Sequence, residues 1–450
     1  MNLVSCNLQY GTMNADKTTL NDLSIFSYEE EQSVFHHLDF TRTYGGREWL
    51  KYFLGHPIST FKEIKERQQL LKCILAVVNE WPQNITNGTI MVLQKFYETA
   101  VEAIPHHPGF LSAFSYKFIN RADYSLIKYS VGHFAEFIKG LNAILKMLSQ
   151  HPCPPPLQVM LERIHRLLSR EEVQRLLKKN AQQELPATTV LIEGSFLREN
   201  FKSGCNELIE IYSQLDAFYS MVIAGINYHF NFPHLLDSKQ PQFSATQLYH
   251  PLVPTPVSYD ISLTQEQNFL FLTGANMSGK STFIKAIGVA VYLAHVGMGV
   301  PAQSMELSMF DGLLSNIQVA DNIIKGESYF FNEVQRVRKT IEKITDGKKW
   351  LILIDELFKG TNVQDAMKCS TVVIEGLRKI QGTLFILSTH LYEIGESLKQ
   401  YSNIQFRYFE TEVKDDQLIF NYHLKEGISN DRLGYLILKK EGVVDMLQKL

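Results

Sequence analysis

The spacing of apolar residues changes near the middle of the chain. Over residues 28–232 apolar positions recur every three or four residues, which is the period of helices with one buried face. After about residue 256 the pattern becomes short apolar runs separated by helical segments, which is typical of a mainly parallel sheet with helices on its faces. The runs are Phe269–Thr273, Trp350–Asp355 and Thr383–Ser388. The pattern therefore predicts a helical domain followed by an α/β domain.

Polar and proline-rich stretches set the expected domain bounds. Residues 1–27 are polar and irregular, and we expect them to form a loosely ordered N-terminal arm. Residues 28–235 form the predicted helical domain, with helices at 156–180 and at about 206–231 and a short β-like stretch at 188–192. A proline-dotted linker over 233–256 leads into the α/β domain, which we place at 236–450.

The composition narrows the class of protein. A chain of 450 residues with 45% hydrophobic and 20% charged residues is expected to form two or three soluble globular domains. The sequence begins without the basic and apolar segments of a signal peptide. Its longest apolar stretch, at 283–300, contains Lys285 and His295, so we expect a buried helix rather than a membrane span. Five cysteines without a C-x-x-C pair fit reduced thiols in the cytoplasm.

Because the chain has a small negative net charge, any nucleic-acid binding must rely on local basic patches. A net charge of -3 supplies no basic field over the whole molecule. One local candidate is the arginine stripe, Arg163, Arg166 and Arg170, on the helix predicted at 156–180. These side chains could contact a phosphate backbone, or they could form an ordinary solvated face beside acids such as Glu162 and Glu171. We favour the solvated face.

A phosphate-binding loop is the strongest chemical signal in the sequence. Gly274, Gly279, Lys280 and Ser281 have the spacing G-x-x-x-x-G-K-[ST], between an apolar run and a helical segment. Glycines let successive backbone N–H groups converge on an anion, and the helix N-terminus adds its dipole. We expect Lys280 to reach the β- and γ-phosphates and Ser281 to hold Mg²⁺; the alternative is a plain glycine-rich turn. The predicted ATP-binding residues of the loop are Gly274, Ala275, Asn276, Met277, Ser278, Gly279, Lys280, Ser281 and Thr282.

Two acids and a histidine stand at the ends of the later apolar runs. Asp355 and Glu356 end the second run, where a sheet-based NTPase needs a metal partner and a group that positions water. We expect Asp355 to bind Mg²⁺ through water and Glu356 to orient or deprotonate the attacking water. His390 ends the third run and can sense the γ-phosphate. An acidic turn residue and a structural histidine are the plainer interpretations, but the phosphate loop upstream favours the catalytic ones.

In their order along the chain, these motifs resemble the ATPase domain of the MutS family, whose members are ABC-class ATPases known for DNA mismatch repair. The resemblance rests on segments 274–282, 326–330, 355–362 and 388–393, with 249–253 and 257–260 similar to the family's entry into this domain. Residues 38–50, Pro57 and residues 67–69 are similar to the opening of its core, or lever, domain. The resemblance implies a helical core or lever domain followed by an ABC-type P-loop α/β ATPase domain.

The resemblance also implies a mechanism and partners. Family members form dimers with composite ATP sites, so Ser328 would reach the partner's nucleotide, while Val257 and Tyr259 would lie around the adenine base. The implied cofactors are ATP and Mg²⁺. The implied catalytic residues are Lys280, Glu356 and His390, and the implied metal ligands are Ser281 and Asp355.

The sequence also departs from the family pattern. The core motifs begin near residue 30, so we expect no mismatch-reading or connector domain ahead of them, and we expect the β-rich clamp after residue 194 to be deleted or nearly so. Ala275, Ser278 and Tyr329 replace the family's usual proline, glycine and threonine. Three functions remain open: an ATPase acting on double-stranded or branched DNA, one whose levers engage protein partners, and a nucleotide-binding scaffold. We favour the first, as a homodimer.

Overall fold

The computed structural model describes residues 11–178, 185–317, 329–414, 417–429 and 443–448. By their internal contacts the residues divide into two units. The helical unit consists of Leu38–Gly55 and Glu66–Ala224. The sheet unit consists of Met1–His37, His56–Lys65 and Gly225–Leu450. The chain therefore leaves the sheet unit twice to build the helical unit and returns to it twice.

The helices and strands follow one another in two blocks, mostly helices and then alternating strands and helices. The helices are α1 (Lys17–Asp22), α2 (Val34–Leu38), α3 (Tyr44–Gly55), α4 (Phe61–Ala76), α5 (Asn87–Glu98), α6 (Phe110–Ile119), α7 (Arg121–Leu148), α8 (Pro155–Leu168), α9 (Glu171–Leu177), α10 (Ala187–Ser195), α11 (Lys202–Asn227), α12 (Lys280–Val296), α13 (Tyr329–Ile344), α14 (Val363–Leu377), α15 (Glu393–Leu398) and α16 (Val443–Gln448). The strands are β1 (His234–Leu236), β2 (Phe243–Leu248), β3 (Tyr259–Leu263), β4 (Phe269–Thr273), β5 (Ser304–Ser308), β6 (Gly312–Asn316), β7 (Trp350–Asp355), β8 (Thr383–Ser388), β9 (Ile404–Lys414) and β10 (Gln417–Glu426).

Helix α7 is the central helix of the helical unit. It contacts α5, α6, α8, α9 and α10. Its apolar side chains, among them Ile127, Phe134 and Leu141, are fully buried. Because these residues recur at intervals of three and four, they line one side of the helix and form the core of the unit. The helical periodicity of the first half of the chain is thereby confirmed.

Two local predictions in the helical unit are wrong. The helix expected at 156–180 is two helices, α8 and α9, separated at Ser169 and Arg170. The stretch at 188–192, whose β-branched residues suggested a strand, lies inside helix α10. A Cβ atom on Gly194 would lie 2.3 Å from the Ile127 side chain, so the glycine allows α10 to approach α7 closely. Packing against α6 and α7 outweighs the local strand propensity.

The arginine stripe contacts neighbouring side chains of the helical unit. Arg163 Nε lies 2.8 Å and Arg166 Nη2 lies 3.2 Å from the same carboxylate oxygen of Glu207. The Arg170 guanidinium lies over the Phe201 ring, 5.2 Å from its centroid. These contacts engage the arginine stripe within the protein itself.

Between α10 and α11 the described residues form a π-helical turn, Phe196–Asn200, in the place where the resemblance puts the β-rich clamp.

The sheet unit contains a six-stranded sheet with the order β10-β9-β4-β8-β7-β6. All neighbouring pairs are parallel except β9 and β10. The three apolar runs of the sequence are β4, β7 and β8, and every residue in them is buried. Strands β1, β5, β2 and β3 form a second sheet. The predicted fold class, a helical domain with an α/β domain, is confirmed.

Residues 11–27 are packed against the sheet rather than loosely ordered. Asn14 forms a parallel bridge with Gly312 of β6, the edge strand of the six-stranded sheet. The Asp22 carboxylate accepts hydrogen bonds from the Ser315 hydroxyl (2.5 Å) and the Ile317 N–H (3.0 Å). The polar side chains that suggested a solvated arm therefore serve as buried hydrogen-bonding partners.

A buried histidine ties residues 56–65 to the rest of the sheet unit. His295 near the end of α12 is fully buried, and its Nδ1 donates to the Ile58 carbonyl at 2.8 Å. Its Nε2 accepts from the Phe310 N–H at 3.3 Å. Burial lowers the pKa of His295 to about 4, so the ring is neutral at pH 7, with one nitrogen donating and the other accepting.

Candidate active site

The loop between β4 and α12 has the backbone conformation that its glycines predict. Gly274 and Gly279 have φ angles of 146° and 103°, values that L side chains rarely adopt. Met277, with φ of 69°, is in the left-handed region. A Cβ atom on Gly274 would also lie 2.8 Å from the Ser278 hydroxyl. The loop therefore folds back on itself directly ahead of the first turn of α12.

Lys280 is the first residue of α12 and reaches back over the loop. Its Nζ donates to the carbonyl oxygens of Gly274 (2.8 Å) and Ala275 (2.9 Å). Burial lowers the pKa of Lys280, while the charges of Glu356 and Asp355 act in the opposite direction. The ammonium group is thus placed inside the loop, where the phosphates of a nucleotide are expected.

Oxygen atoms from three segments meet beside the loop. The Ser281 hydroxyl donates to Asp355 Oδ2 at 2.5 Å, and the Ser388 hydroxyl donates to Asp355 Oδ1. Asp355 ends β7, and Ser388 ends the neighbouring strand β8. Mg²⁺ prefers hard oxygen ligands and is commonly held by one or two carboxylates together with phosphate oxygens. A serine hydroxyl and a carboxylate side by side next to a phosphate loop fit such an ion.

Glu356 follows β7 with an unusual backbone conformation and two basic neighbours. Its φ is 63°, and its N–H donates to the Ser388 carbonyl at 2.9 Å. Its Oε2 lies 3.6 Å from His390 Nδ1 and 3.2 Å from Lys359 Nζ. The interaction with His390, assisted by the charge on Lys359, lowers the pKa of Glu356 to about 2. The carboxylate is therefore ionised at neutral pH, and His390 lies beside it.

Glu333 contributes a contact that the sequence did not indicate. It belongs to α13, its side chain is buried, and its carboxylate accepts the N–H groups of Lys359 and Gly360, each at 3.3 Å. Burial raises the pKa of Glu333. The residue thus links α13 to the loop that follows Glu356. One acid in an amphipathic helix rich in charges carries no sequence signal for such a role.

Tyr422 is a second residue that sequence reasoning missed. It has a φ of 55° at an irregularity of β10, and its ring atom Cδ1 lies 3.2 Å from the position of a Cβ atom on Gly279. Of the two predicted adenine-site residues, Tyr259 is buried with its hydroxyl 3.8 Å from that same position, and Val257 is half-buried ahead of β3. Ser328 lies outside the described residues.

The mainly parallel sheet, the phosphate loop ahead of α12 and the carboxylates at the end of β7 define an ABC-like P-loop ATPase domain. Among the described residues, no helix combines the length and the apolar character needed to cross a membrane. Residues 270–447 match the family model described as MutS domain V. This part of the chain is therefore similar to that family's domain V, and the resemblance indicated by the motifs is confirmed.

Curated relatives agree with this assignment. The DNA mismatch repair protein MutS of Pseudothermotoga lettingae is 31% identical over 232 residues, which is 51% of this chain and 28% of that protein. The DNA mismatch repair protein MutS of Thermotoga maritima is 30% identical over 267 residues, 55% of this chain and 32% of the relative. The DNA mismatch repair protein MutS of Oceanobacillus iheyensis is 29% identical over 242 residues, which is 52% of this chain and 27% of that protein. The matched stretches thus span less than a third of each of these relatives.

Proposed function

We propose that this protein is a MutS-like ATPase that binds ATP with Mg²⁺ at the phosphate loop, hydrolyses the ATP as a dimer, and acts on DNA. The observation that carries the proposal is the meeting of Ser281, Asp355 and Ser388 beside the loop, with ionised Glu356 next to them. A glycine-rich turn with no ligand would need neither this cluster nor a carboxylate held ionised. A scaffold that binds nucleotide without hydrolysing it would need neither Glu356 nor His390, so the presence of both residues argues against that function.

The loop and Lys280 supply the binding of the triphosphate. Backbone N–H groups of residues 274–279 and the start of α12 would surround the phosphates, and Lys280 would exchange its two carbonyl contacts for phosphate oxygens. Ser281 and Asp355 would hold Mg²⁺, which when bound offsets the negative charge of the β- and γ-phosphates. Ser388 keeps the Asp355 carboxylate oriented toward this position.

We assign the orientation of the attacking water to Glu356. With a pKa of about 2 it accepts hydrogen bonds at neutral pH but is a weak proton acceptor. We therefore assign to it the alignment of a water molecule with the γ-phosphate. The water oxygen forms a bond to the γ-phosphorus as the bond from that phosphorus to the β–γ bridging oxygen breaks, ADP leaves, and a proton of the water passes to a phosphate oxygen. His390, 3.6 Å from Glu356, holds this carboxylate and senses the γ-phosphate.

The test of this assignment is Glu356→Gln, assayed for steady-state ATP hydrolysis and for ATP binding. We expect hydrolysis to fall by about 100-fold or more, because misplacing a reacting group by about 1 Å can cost that factor. ATP affinity should stay within about threefold, since phosphate binding rests on Lys280 and the loop. Glu396→Gln, on an exposed surface of α15, is the matched control and should hydrolyse at the wild-type rate. Wild-type turnover in Glu356→Gln would remove Glu356 from the mechanism.

Dimerisation enters the proposal through Ser328. By the resemblance, this serine would lie against the nucleotide of the second copy, so each ATP site would be completed across the interface. Ser328→Ala should lower ATP turnover. Mixing it with Glu356→Gln should restore activity, because in a mixed dimer one composite site keeps both wild-type residues. Failure of such mixtures to regain any activity would argue for sites that are complete within one chain.

A second candidate function is an ATPase whose helical unit engages protein partners. The observation that favours it is the pairing of Arg163 and Arg166 with Glu207, which occupies the most basic stripe found in the sequence. The net charge of -3 also favours protein partners over DNA.

ATP hydrolysis measured with and without DNA separates the two functions. Duplex, mismatched and branched DNA are each compared at two salt concentrations. Stimulation that falls steeply with salt supports action on DNA, because phosphate contacts release counterions. A rate that no DNA changes supports protein partners instead.

A further inference from the structure

Helix α6 of the helical unit carries an apolar surface on its outer side. We call it the α6 stripe and define it by Phe110, Leu111, Phe114 and Phe118. Their side chains are 78%, 79%, 53% and 66% exposed. The rings of Phe114 and Phe118 are in contact, with centroids 4.5 Å apart. Four large apolar side chains exposed along one short helix are unusual, because scattered single exposures are the norm on protein surfaces.

The geometry of α6 separates the stripe from the face that packs on the protein. With about 100° of rotation per residue, the four stripe residues fall within an arc of roughly 100°. Tyr116 lies nearly opposite that arc and Ala113 lies to one side of it, and both are buried where α6 contacts α7 and α10. The Tyr116 hydroxyl donates to the Glu102 carbonyl at 3.1 Å. Helix α6 is therefore anchored by one face and presents the stripe outward.

The stripe contains no charged group. Lys117 is the one charged residue of α6, and its Nζ lies 5.5 Å from the centroid of the Tyr124 ring on α7. Nucleic acids and acidic peptides are recognised by cations, and the stripe offers none. An apolar surface with these properties suits an equally apolar partner.

We propose that the α6 stripe pairs with the α6 stripe of a second copy of this chain. A two-fold axis near Phe114, at the middle of the stripe, would lay the two helices antiparallel and bring each stripe onto itself. Each large side chain presents about 200 Å² when exposed, so the stripes would bury roughly 1,100 Å² in total. That area is at the lower limit of stable protein interfaces. The pairing goes beyond the proposed ATPase function and requires no nucleotide.

The experiment is sedimentation equilibrium of the full chain without nucleotide, comparing wild type with Phe114→Glu and Phe114→Lys. Wild type should associate with a dissociation constant in the micromolar range. Each variant alone should associate at least about tenfold more weakly, because like charges then face each other across the axis. An equimolar mixture of the two variants should recover association. Val159→Glu, which places the same charge at an exposed apolar position of α8, is the control and should behave as wild type.

The outcomes separate this pairing from its alternatives. A wild type that stays monomeric at about 100 µM overturns the proposal. Equal association of wild type and Phe114→Glu also overturns it, since the dimer would then use another surface. A mixture that does not recover association shows that the stripe does not face its own copy. Binding of wild type but not Phe114→Glu to phosphatidylcholine vesicles, without self-association, would assign the stripe to a membrane instead. Circular dichroism and ATP hydrolysis verify that each variant is folded.

Discussion

Gly46, the third residue of α3, lies against a buried carboxylate and should not tolerate even one added methyl group. A Cβ atom at this position would lie 2.1 Å from Asp216 Oδ2 and 2.9 Å from Asp216 Cβ. The carboxylate cannot simply turn away, because it accepts the N–H groups of Arg42 (3.0 Å) and Thr43 (2.9 Å) and the Thr43 hydroxyl (2.7 Å). The N–H of Gly46 itself donates to that hydroxyl at 3.0 Å.

The size of the effect of Gly46→Ala follows from three terms. Replacing a helical glycine with alanine normally stabilises a protein by about 0.5–1 kcal/mol. Forcing a methyl group into a filled space costs about 1–3 kcal/mol. Displacing the Asp216 carboxylate leaves buried donors without acceptors, at about 1–3 kcal/mol each. The clash and the lost hydrogen bonds outweigh the helical gain, so we expect a net loss of about 3 kcal/mol in the free energy of unfolding.

The measurement is urea unfolding followed by circular dichroism. Gly132→Ala in α7 is the matched control: a Cβ atom there meets nothing within 4 Å, so this variant should be stabilised by about 0.5–1 kcal/mol. In an Asp216→Ala background the contact with the carboxylate is removed and the 2.9 Å contact with the Cβ atom of residue 216 remains, so Gly46→Ala should cost less than in wild type. If Gly46→Ala were as stable as Gly132→Ala, or its cost were the same in both backgrounds, the contact with Asp216 would not explain the glycine.

Three further predictions concern the sheet unit. Tyr422→Ala should raise the KM for ATP about tenfold with little change in kcat, because the ring lies beside Gly279 of the phosphate loop and would bind ground and transition states alike. An unchanged KM in steady-state kinetics would contradict this. Glu333→Gln should lower kcat severalfold while ATP affinity is kept, since one acceptor for the loop after Glu356 is lost; single-turnover hydrolysis checks it. Wild type should lose about 2 kcal/mol of its free energy of unfolding between pH 7 and pH 5 through His295. The unfolded chain takes up a proton on this histidine near pH 6.5, whereas the folded ring accepts it only near pH 4. Urea titrations of His295→Gln at the two pH values should show a smaller loss.

Much of the sheet unit could be predicted because its signals are local. Strands buried on both faces read as unbroken apolar runs, so the bounds of β4, β7 and β8 were predicted to the residue. A phosphate loop needs fixed residue types at fixed spacing, so Gly274 to Thr282 were identifiable without any tertiary information. Residues at the ends of adjacent parallel strands meet at one edge, and Asp355 and Ser388 do so.

The features that sequence reasoning missed depend on distant partners. Helix α10 has a strand-like composition but takes its conformation from α6 and α7. Glu333 contacts Lys359, which lies 26 positions further along the chain, and Tyr422 lies close to the distant Gly279; neither residue stands in a recognisable pattern. The polar residues of 11–27 suggested a solvent-exposed segment, because the sequence does not reveal that the Ser315 hydroxyl donates a hydrogen bond to Asp22. Each miss concerns a contact whose two halves are separated by many residues.

The hydrogen bond between Asp22 and Ser315 joins residues 293 positions apart. At synthesis rates of 5–20 residues per second, the segment that contains Asp22 leaves the ribosome roughly 15–60 s before β6 does. The helical unit is complete at Ala224 and can form its core during that interval. A segment made before the helical unit thus contacts the edge strand of the six-stranded sheet, and it can reach these final partners only after β6 has been made.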